Sequence, residues 1–329
     1  MEFTAEIRKA TDPIYQKISK AVPEIEWASY APYIYEINKL KKEKNAVILA
    51  HNYQTPEIYH GISDFSADSL ALAVEAAKTK ADIIVMCGVH FMAETAKLMS
   101  PKKKVLLPDM RAGCSLSSSI TGDDVRELKK KYPGVPVVSY VNTSADVKAE
   151  TDVCCTSANA VKIVKSLGVK KVIFLPDDYL AKYVASQTDV EIISWKGTCE
   201  VHEQFNDEEI NEIRKSNPGI KIIAHPECPP DVIKASDFAG STSGMIKYVK
   251  DNQPEKVMMV TECSMSDNVQ IDNPNVKFIR PCNLCPHMKR ITLPKILDCL
   301  ENETNEILMS DQTIEKARRS VERMAEIGR

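Results

Sequence analysis

The segment RPCNLCPHMKR, residues 280–290, holds the one CxxC motif of the chain, formed by Cys282 and Cys285. A thiol redox pair needs only these two residues, whereas a closed metal site needs about four ligands. A metal site at this motif therefore requires ligands from elsewhere in the sequence. The chain has ten cysteines, and an internal repeat indicates which of them are candidates.

Three segments share one order of elements and define that repeat. They begin as VILAHNYQ at Val47, PVVSYVNT at Pro136 and KIIAHPEC at Lys221. Each predicts a strand, a polar triplet, a helical stretch, an aspartate, and a Ser or Thr that opens another helix. Because β-branched runs alternate with helical patterns throughout, parallel sheets are favoured. We therefore predict an α/β fold of three homologous αβα sandwich domains with short parallel sheets, in a pseudo-threefold triangular arrangement.

The repeat also predicts the domain boundaries. The N-terminal helices and the first repeat form domain 1–120, the second repeat forms domain 121–205, and the third repeat with the C-terminal helices forms domain 206–329. The second and third strands of the repeats are predicted at 82–88, 104–109, 171–177, 190–195, 256–262 and 276–281.

One cysteine recurs at the same place in every repeat. Cys114, Cys199 and Cys285 each lie nine positions beyond the valine that starts a third strand. Ligands of open α/β units bind at the carboxyl ends of the strands, so converging strand ends would bring three thiols to one point.

Three thiolates suit either zinc or an iron-sulfur cluster. A structural zinc wants a fourth ligand, and none recurs with the repeat, although His202 lies three residues after Cys199. A four-iron cluster normally takes four cysteines, so three would leave one iron open to polarise a substrate oxygen. The sequence favours the cluster, with zinc as the alternative.

Polar side chains recur beside the predicted thiol site. The triplets that end the first strands offer acids, bases and hydrogen-bond donors. Ser69, Ser157 and Thr242 follow them and are predicted helix N-caps, where free N–H groups bind carboxylate or phosphate. Three such helix ends would form a pocket for a small polyanion, although each residue can equally be a plain cap. The triplets are His51-Asn52-Tyr53, Tyr140-Val141-Asn142 and His225-Pro226-Glu227.

Composition argues against several classes of protein. The net charge is −3 with both signs interspersed, so nucleic acid is not an expected partner. GxGxxG, the P-loop motif and HExxH are absent. No apolar run approaches the ~20 residues of a membrane span, and the N-terminal segment has no signal-like apolar core. We expect a cytoplasmic protein without a membrane partner, whose cysteines are mostly reduced thiols, metal ligands or catalytic groups.

Ten short segments spread over nearly the whole chain are distinctive together: LAHNYQ, DFSADSLALA, FMAETAK, AGCSL, YVN, CTSANAV, GTCEVH, HPEC, AGSTSGM and CPHMK. With these segments the chain resembles the quinolinate synthase family of NAD biosynthesis. The resemblance implies a triangle of three homologous αβα domains. It also implies condensation of iminoaspartate with dihydroxyacetone phosphate to quinolinate, with loss of phosphate and two waters. A 4Fe-4S cluster with one open iron acting as Lewis acid would be bound by Cys114, Cys199 and Cys285.

The resemblance further assigns roles to single residues. Glu227 would be the main base, and Tyr53 and His202 would move protons. The partners would be the two small-molecule substrates, with a transient contact to the enzyme that produces iminoaspartate. The implied substrate contacts are His51, Ser69, Tyr140, Val141, Asn142, Ser157, His225, Pro226, Glu227 and Thr242.

Two other functions fit the thiol pattern. A non-catalytic iron or zinc redox sensor would use the three cysteines but would not need the His, Tyr and Glu side chains. Another cluster-dependent hydro-lyase, acting on a small hydroxy acid, would need the three cysteines as well as the His, Tyr and Glu side chains.

Overall fold

A computed structural model describes residues 1–280 and 282–328. The chain forms two compact units. Unit 1 comprises Met1–Ala112, Cys263–Pro274 and Leu284–Leu308, and unit 2 comprises Gly113–Glu262, Asn275–Asn283 and Met309–Arg329. Among the helices in the described ranges, none combines the length and the apolar character needed to span a membrane.

Unit 1 contains one parallel sheet with the strand order β2-β1-β3-β4. Its strands are β1 (Ala46–His51), β2 (Phe65–Ala67), β3 (Ile83–Cys87) and β4 (Lys104–Leu106). Its helices are α1 (Ala5–Ile18), α2 (Glu24–Glu43), α3 (Pro56–Tyr59), α4 (Ser69–Lys78), α5 (His90–Met99), α14 (Cys263–Asp272) and α15 (Leu293–Asn302), with a 3₁₀ turn at Met288–Arg290.

The core of unit 1 follows from continuous apolar runs in its central strands. Every residue of β3 is buried, as expected for a parallel strand covered on both faces. The predicted pair of N-terminal helices is confirmed as α1 and α2. Lys41, in the last turn of α2, is buried: its Nζ donates to the Ile62 carbonyl at 2.7 Å and to Asp64 at 2.8 Å. These bonds satisfy an ammonium that is only 9% exposed.

Unit 2 contains two parallel sheets, with strand orders β6-β5-β7-β8 and β10-β9-β11-β12. The strands are β5 (Val137–Tyr140), β6 (Val153–Cys155), β7 (Lys171–Leu175), β8 (Glu191–Ser194), β9 (Lys221–Ala224), β10 (Phe238–Ala239), β11 (Lys256–Val260) and β12 (Lys277–Ile279). The helices are α6 (Ser115–Ser118), α7 (Gly122–Lys131), α8 (Ala145–Ala149), α9 (Ala160–Ser166), α10 (Asp178–Ser186), α11 (Asp207–Ser216), α12 (Pro230–Ala235), α13 (Thr242–Asn252) and α16 (Asp311–Ile327), with a 3₁₀ turn at His202–Gln204.

The three sheets have the same topology, which confirms the α/β class and the repeat. In each, the first strand of the repeat is central and pairs with a short strand on one side. The short strands β2, β6 and β10 were not predicted, because they contain only three, three and two residues. The domain boundaries and the threefold arrangement stay predictions. The last residue of the predicted strand 276–281, Pro281, lies outside the described residues.

The aspartate of the repeat has a structural role. In each copy, its carboxylate accepts a hydrogen bond from a backbone N–H of the first strand, and its own N–H donates to the carbonyl of that same residue. This two-point contact fixes the register of the first strand against the short strand that begins directly after the aspartate. The pairs are Asp64 with Ile48 (2.8 and 2.9 Å), Asp152 with Val137 (2.7 and 3.1 Å) and Asp237 with Ile222 (2.8 and 2.7 Å).

Candidate active site

Unit 2 gathers a buried polar cluster around Glu227, which follows β9 and is 3% exposed. His202 Nδ1 lies 2.8 Å from one carboxylate oxygen, and Asn142 Nδ2 donates to the other at 3.4 Å. The Tyr140 hydroxyl also donates to this carboxylate. His225 Nδ1 lies 3.6 Å from it. Five residues predicted from three separate motifs therefore meet in one place.

The turn after β9 fixes the orientation of the His225 ring. The N–H of Glu227 donates to His225 Nδ1 at 3.3 Å, and Nε2 lies 3.1 Å from Ser157 Oγ. In a neutral ring, Nδ1 is then the acceptor and Nε2–H is the donor. The first repeat builds the same turn in unit 1, where the N–H of Tyr53 donates to His51 Nδ1 at 3.2 Å.

Two buried carboxyl groups of unit 2 are pushed toward opposite charge states. Burial alone would raise the pKa of Glu227, but His225, His202 and the hydrogen bond from Tyr140 outweigh it and lower that pKa. Burial, followed by repulsion from Glu227, raises the pKa of Asp177 well above its usual value. The two environments therefore favour ionisation of Glu227 and disfavour ionisation of Asp177.

Sequence reasoning missed Asp177. It is fully buried two residues after the end of β7, and its Oδ1 accepts from the N–H of Leu180 at 2.8 Å, which caps α10. A signal was available, since an acidic residue also ends the corresponding stretch of the third repeat, at Glu262.

Thiol and imidazole groups lie beside the carboxylate. Cys199 Sγ is 3.1 Å from His202 Nδ1. Ligand atoms of Cys199, His202 and Glu227 lie within 4.8 Å of one another and could hold a metal ion. Burial raises the pKa of Cys199 well above its usual range, and negative charge on Glu227 and Cys114 adds to this effect. A bound cation would relieve that repulsion, so the donor set fits a thiophilic metal group.

A family model described as Quinolinate synthetase A protein matches residues 35–326. The chain belongs to the quinolinate synthase family. A quinolinate synthase of Sinorhizobium fredii is 60% identical over 327 residues, which cover 99% of this chain and 91% of the relative. Those of Sinorhizobium medicae and Caulobacter vibrioides are 58% and 56% identical, covering 99% of this chain and 91% and 90% of the relatives. Membership of this family makes the chain an enzyme, and the family name places it in NAD biosynthesis.

The quinolinate synthase residues predicted in unit 1 are His51, Tyr53, Ser69 and Cys285. His51 ends β1 and is buried, and its ring packs edge-on against Tyr53 with centroids 4.7 Å apart. Cys285 is partly buried. The meeting of all three repeat cysteines stays a prediction, because Cys285 belongs to unit 1, whereas Cys114 and Cys199 belong to unit 2.

Side chains that sequence reasoning did not select hold the loop after β1. Asn268 Nδ2 donates to the carbonyls of Asn52 at 3.3 Å and Gln54 at 2.8 Å. Lys289 Nζ donates to the carbonyl of Tyr53 at 2.9 Å. Three successive carbonyls are thus held by side chains, which fixes the backbone on which Tyr53 stands.

The predicted helix caps are shifted along the chain. Ser69 and Thr242 are the first residues of α4 and α13, and the caps are Asp68 and Ser241, whose side chains accept from N–H groups three residues later. Ser157 precedes α9 by three residues and instead contacts His225. The N-cap prediction was therefore wrong for all three residues. In α4 and α13, the side chain one residue before the predicted cap reaches the free N–H groups. Ser157 lies outside α9 altogether.

The remaining predicted residues belong to unit 2. Val141 and Pro226 are buried, and the N–H of Val141 donates to the carbonyl of Cys155 at 2.8 Å. Asn142 Oδ1 is buried and accepts no hydrogen bond from the residues that the structure describes. Six cysteines outside the repeated position are buried as small core side chains, namely Cys87, Cys154, Cys155, Cys228, Cys263 and Cys299. Cys282 is exposed.

Proposed function

We propose that this chain condenses iminoaspartate with dihydroxyacetone phosphate to quinolinate, with release of phosphate and two waters. The observation that carries the proposal is the buried Glu227–His202 pair next to the Cys199 thiol. Burying an ionised carboxylate is costly unless it is paired and hydrogen-bonded, and carboxyl groups held in such surroundings concentrate at catalytic sites. A redox sensor would need the thiol without this carboxylate and imidazole. The names of the relatives favour quinolinate synthesis over another hydro-lyase reaction.

The proposed cofactor is a 4Fe-4S cluster held by Cys114, Cys199 and Cys285. When bound through three thiolates, it would supply an open iron as Lewis acid. The chemistry of the donors fits, because thiol groups repelled by neighbouring negative charge gain from a bound cation.

The proposed proton chemistry centres on Glu227. The neighbouring imidazoles and the Tyr140 hydroxyl keep the carboxylate ionised in spite of its burial, so it has a free lone pair to accept a proton from substrate. His202, 2.8 Å away, can pass that proton on, because its Nε2 lies 2.9 Å from Thr261 Oγ1 at the other end of the ring. Asn142 and Tyr140 hold the carboxylate in one orientation. We assign Tyr53 as a second proton carrier.

Anionic groups of the substrates are proposed to bind at Ser157, Thr242 and Ser69, with His51, His225, Val141 and Pro226 lining the site. Of the two helix N-termini, α13 suits an anion better. Its cap is the neutral Ser241, whereas the cap of α4 is the carboxylate of Asp68, which already interacts with the helix dipole and repels a further anion. Asn142 Oδ1 is the acceptor proposed for a substrate N–H or O–H donor.

We also propose that the enzyme works in the cytoplasm and receives iminoaspartate through a transient contact with the enzyme that makes it. An imine hydrolyses in water, so a short transfer path would favour condensation.

Anaerobic purification tests the function and the cofactor together. We expect a brown protein with about four irons and four sulfides per chain, which forms quinolinate from iminoaspartate and dihydroxyacetone phosphate. Cys199→Ala should lose both iron and turnover, whereas Cys87→Ala, which changes a buried thiol outside the repeat positions, should keep both. A colourless protein with one zinc and no turnover would overturn the proposal in favour of a sensor.

A further inference from the structure

Lys148 on α8 is a buried cation that no proposed catalytic step uses. It is 0% exposed. Its Nζ donates to the carbonyl of Val141 at 2.8 Å and to the carbonyl of Thr143. A buried ammonium is tolerated only when hydrogen bonds replace its water. Both of the hydrogen bonds named above go to the backbone of one loop, directly after β5.

This loop carries groups that contact Glu227. Asn142 stands between the two carbonyls and donates to Glu227 at 3.4 Å, and Tyr140 immediately precedes the loop. The loop turns tightly, since the N–H of Thr143 donates to the carbonyl of Val141 at 2.8 Å. Holding the carbonyls on both sides of Asn142 fixes the direction in which its side chain points.

The last helix keeps Lys148 in place. Ser320 on α16 is 1% exposed, and its single hydroxyl hydrogen can be donated to the carbonyl of Lys148 at 3.0 Å or to that of Ala317 at 2.8 Å. Cys154 on β6 donates to the same Oγ at 3.3 Å. The equivalent positions of the other repeats are Tyr59 and Ile233, so the arrangement belongs to the second repeat alone.

We propose that Lys148 is a positioning residue that aims Asn142 and Tyr140 at Glu227 by holding the loop 141–143. The inference rests on the proposed function for the role of Glu227. Lys148 itself touches no substrate, and its effect on turnover passes through the loop. Misplacing a catalytic contact by about 1 Å costs on the order of 100-fold in rate, so this loss is the one expected when the loop is released.

The test compares Lys148→Met with Lys97→Met. Lys97 is a matched control in unit 1, 8% exposed, with its Nζ donating to the carbonyl of Lys103 at 2.8 Å. Amide hydrogen exchange of the peptide 140–144 should become on the order of tenfold faster in Lys148→Met and stay unchanged in Lys97→Met. In steady-state kinetics, kcat should fall about 100-fold in the first variant, with a smaller change in KM and the same iron content. The control should keep the wild-type kcat.

Wild-type exchange and wild-type kcat in a folded Lys148→Met protein would overturn the inference. If that protein does not fold, Lys148→Gln is the variant to measure, because its amide can donate to one of the two carbonyls. Its amide exchange rate and its kcat should then lie between those of the wild type and those expected for Lys148→Met. Wild-type values for both would overturn the inference. The exchange measurement needs no turnover. A wild-type protein that makes no quinolinate would refute the proposed function. Even then, the exchange measurement would still decide whether Lys148 holds the loop.

Discussion

Replacing Glu227 by glutamine removes one negative charge from the buried cluster and keeps the shape of the side chain. Glutamine offers one acceptor oxygen where the carboxylate offers two, and that oxygen can still accept from Asn142 if it takes the place of the carboxylate oxygen that Asn142 now contacts. His202 Nδ1, 2.8 Å from the present carboxylate, would instead face an oxygen without charge or an NH₂ group. The proton acceptor is lost, and the donors around it remain.

The size of the effect follows from these contacts. General base catalysis contributes about 10²–10⁴ in rate, which is roughly 3–5 kcal/mol of barrier. Stability should change as well. Folding lowers the pKa of Glu227 below its ordinary 4.5, so its contribution is present above about pH 4.5 and is lost as pH falls through the lower folded value. The glutamine variant lacks this acid-dependent contribution.

The assay measures kcat on anaerobic protein with iron counted, together with urea unfolding at pH 7 and at pH 3, which lies below the unfolded pKa of 4.5. Asp109→Asn is the matched control, because Asp109 is a carboxylate of unit 1 that is 6% exposed. Hydrogen bonds from Arg111 and Lys295 lower its pKa against the effect of burial. The control should change the acid dependence of stability and keep kcat. A Glu227→Gln protein with a full cluster and full kcat would refute the assignment of the base, and an unchanged acid dependence would refute the charge assigned to Glu227.

Other consequences follow from the same structure. Burial raises the pKa of Cys155 well above 9.0, so alkaline pH ionises this thiol more readily in the unfolded chain than in the folded one. The free energy of unfolding should therefore fall above pH 9, by up to about 1.4 kcal/mol per pH unit. Urea midpoints measured at pH 8 and pH 10 should show a smaller fall for Cys155→Ala than for the wild type. Asp152→Ala removes the acceptor for the Val137 N–H at 2.7 Å and should lower the free energy of unfolding by about 1 kcal/mol, measured by urea titration. Ser157→Ala removes the partner of His225 Nε2 and should lower kcat/KM on the order of tenfold; an unchanged value would show that this contact does not orient the ring.

The repeat could be predicted from the sequence because the central strands of parallel sheets are continuous apolar runs. Buried runs such as Ile83–Cys87 predicted central strands, and the recurring polar triplets marked where first strands end. The short strands escaped, since two or three residues such as Phe238–Ala239 carry no periodicity. The caps were misassigned by one residue at Ser69 and Thr242, because neighbouring Asp68 and Ser241 are equally good cap residues and only geometry shows which one reaches the N–H groups.

The sequence by itself determined the α/β class, the triplication, and the residue types at the strand ends, including Glu227 and Cys199. These are properties of local periodicity and of spacing along the chain. Only the tertiary structure decided that Glu227 pairs with His202, that Asp177 carries a raised pKa, and that Lys148 holds a loop rather than meeting solvent. Charge state and hydrogen bonding depend on the loss of water and on neighbours from distant parts of the chain, and neither leaves a pattern in the order of residues.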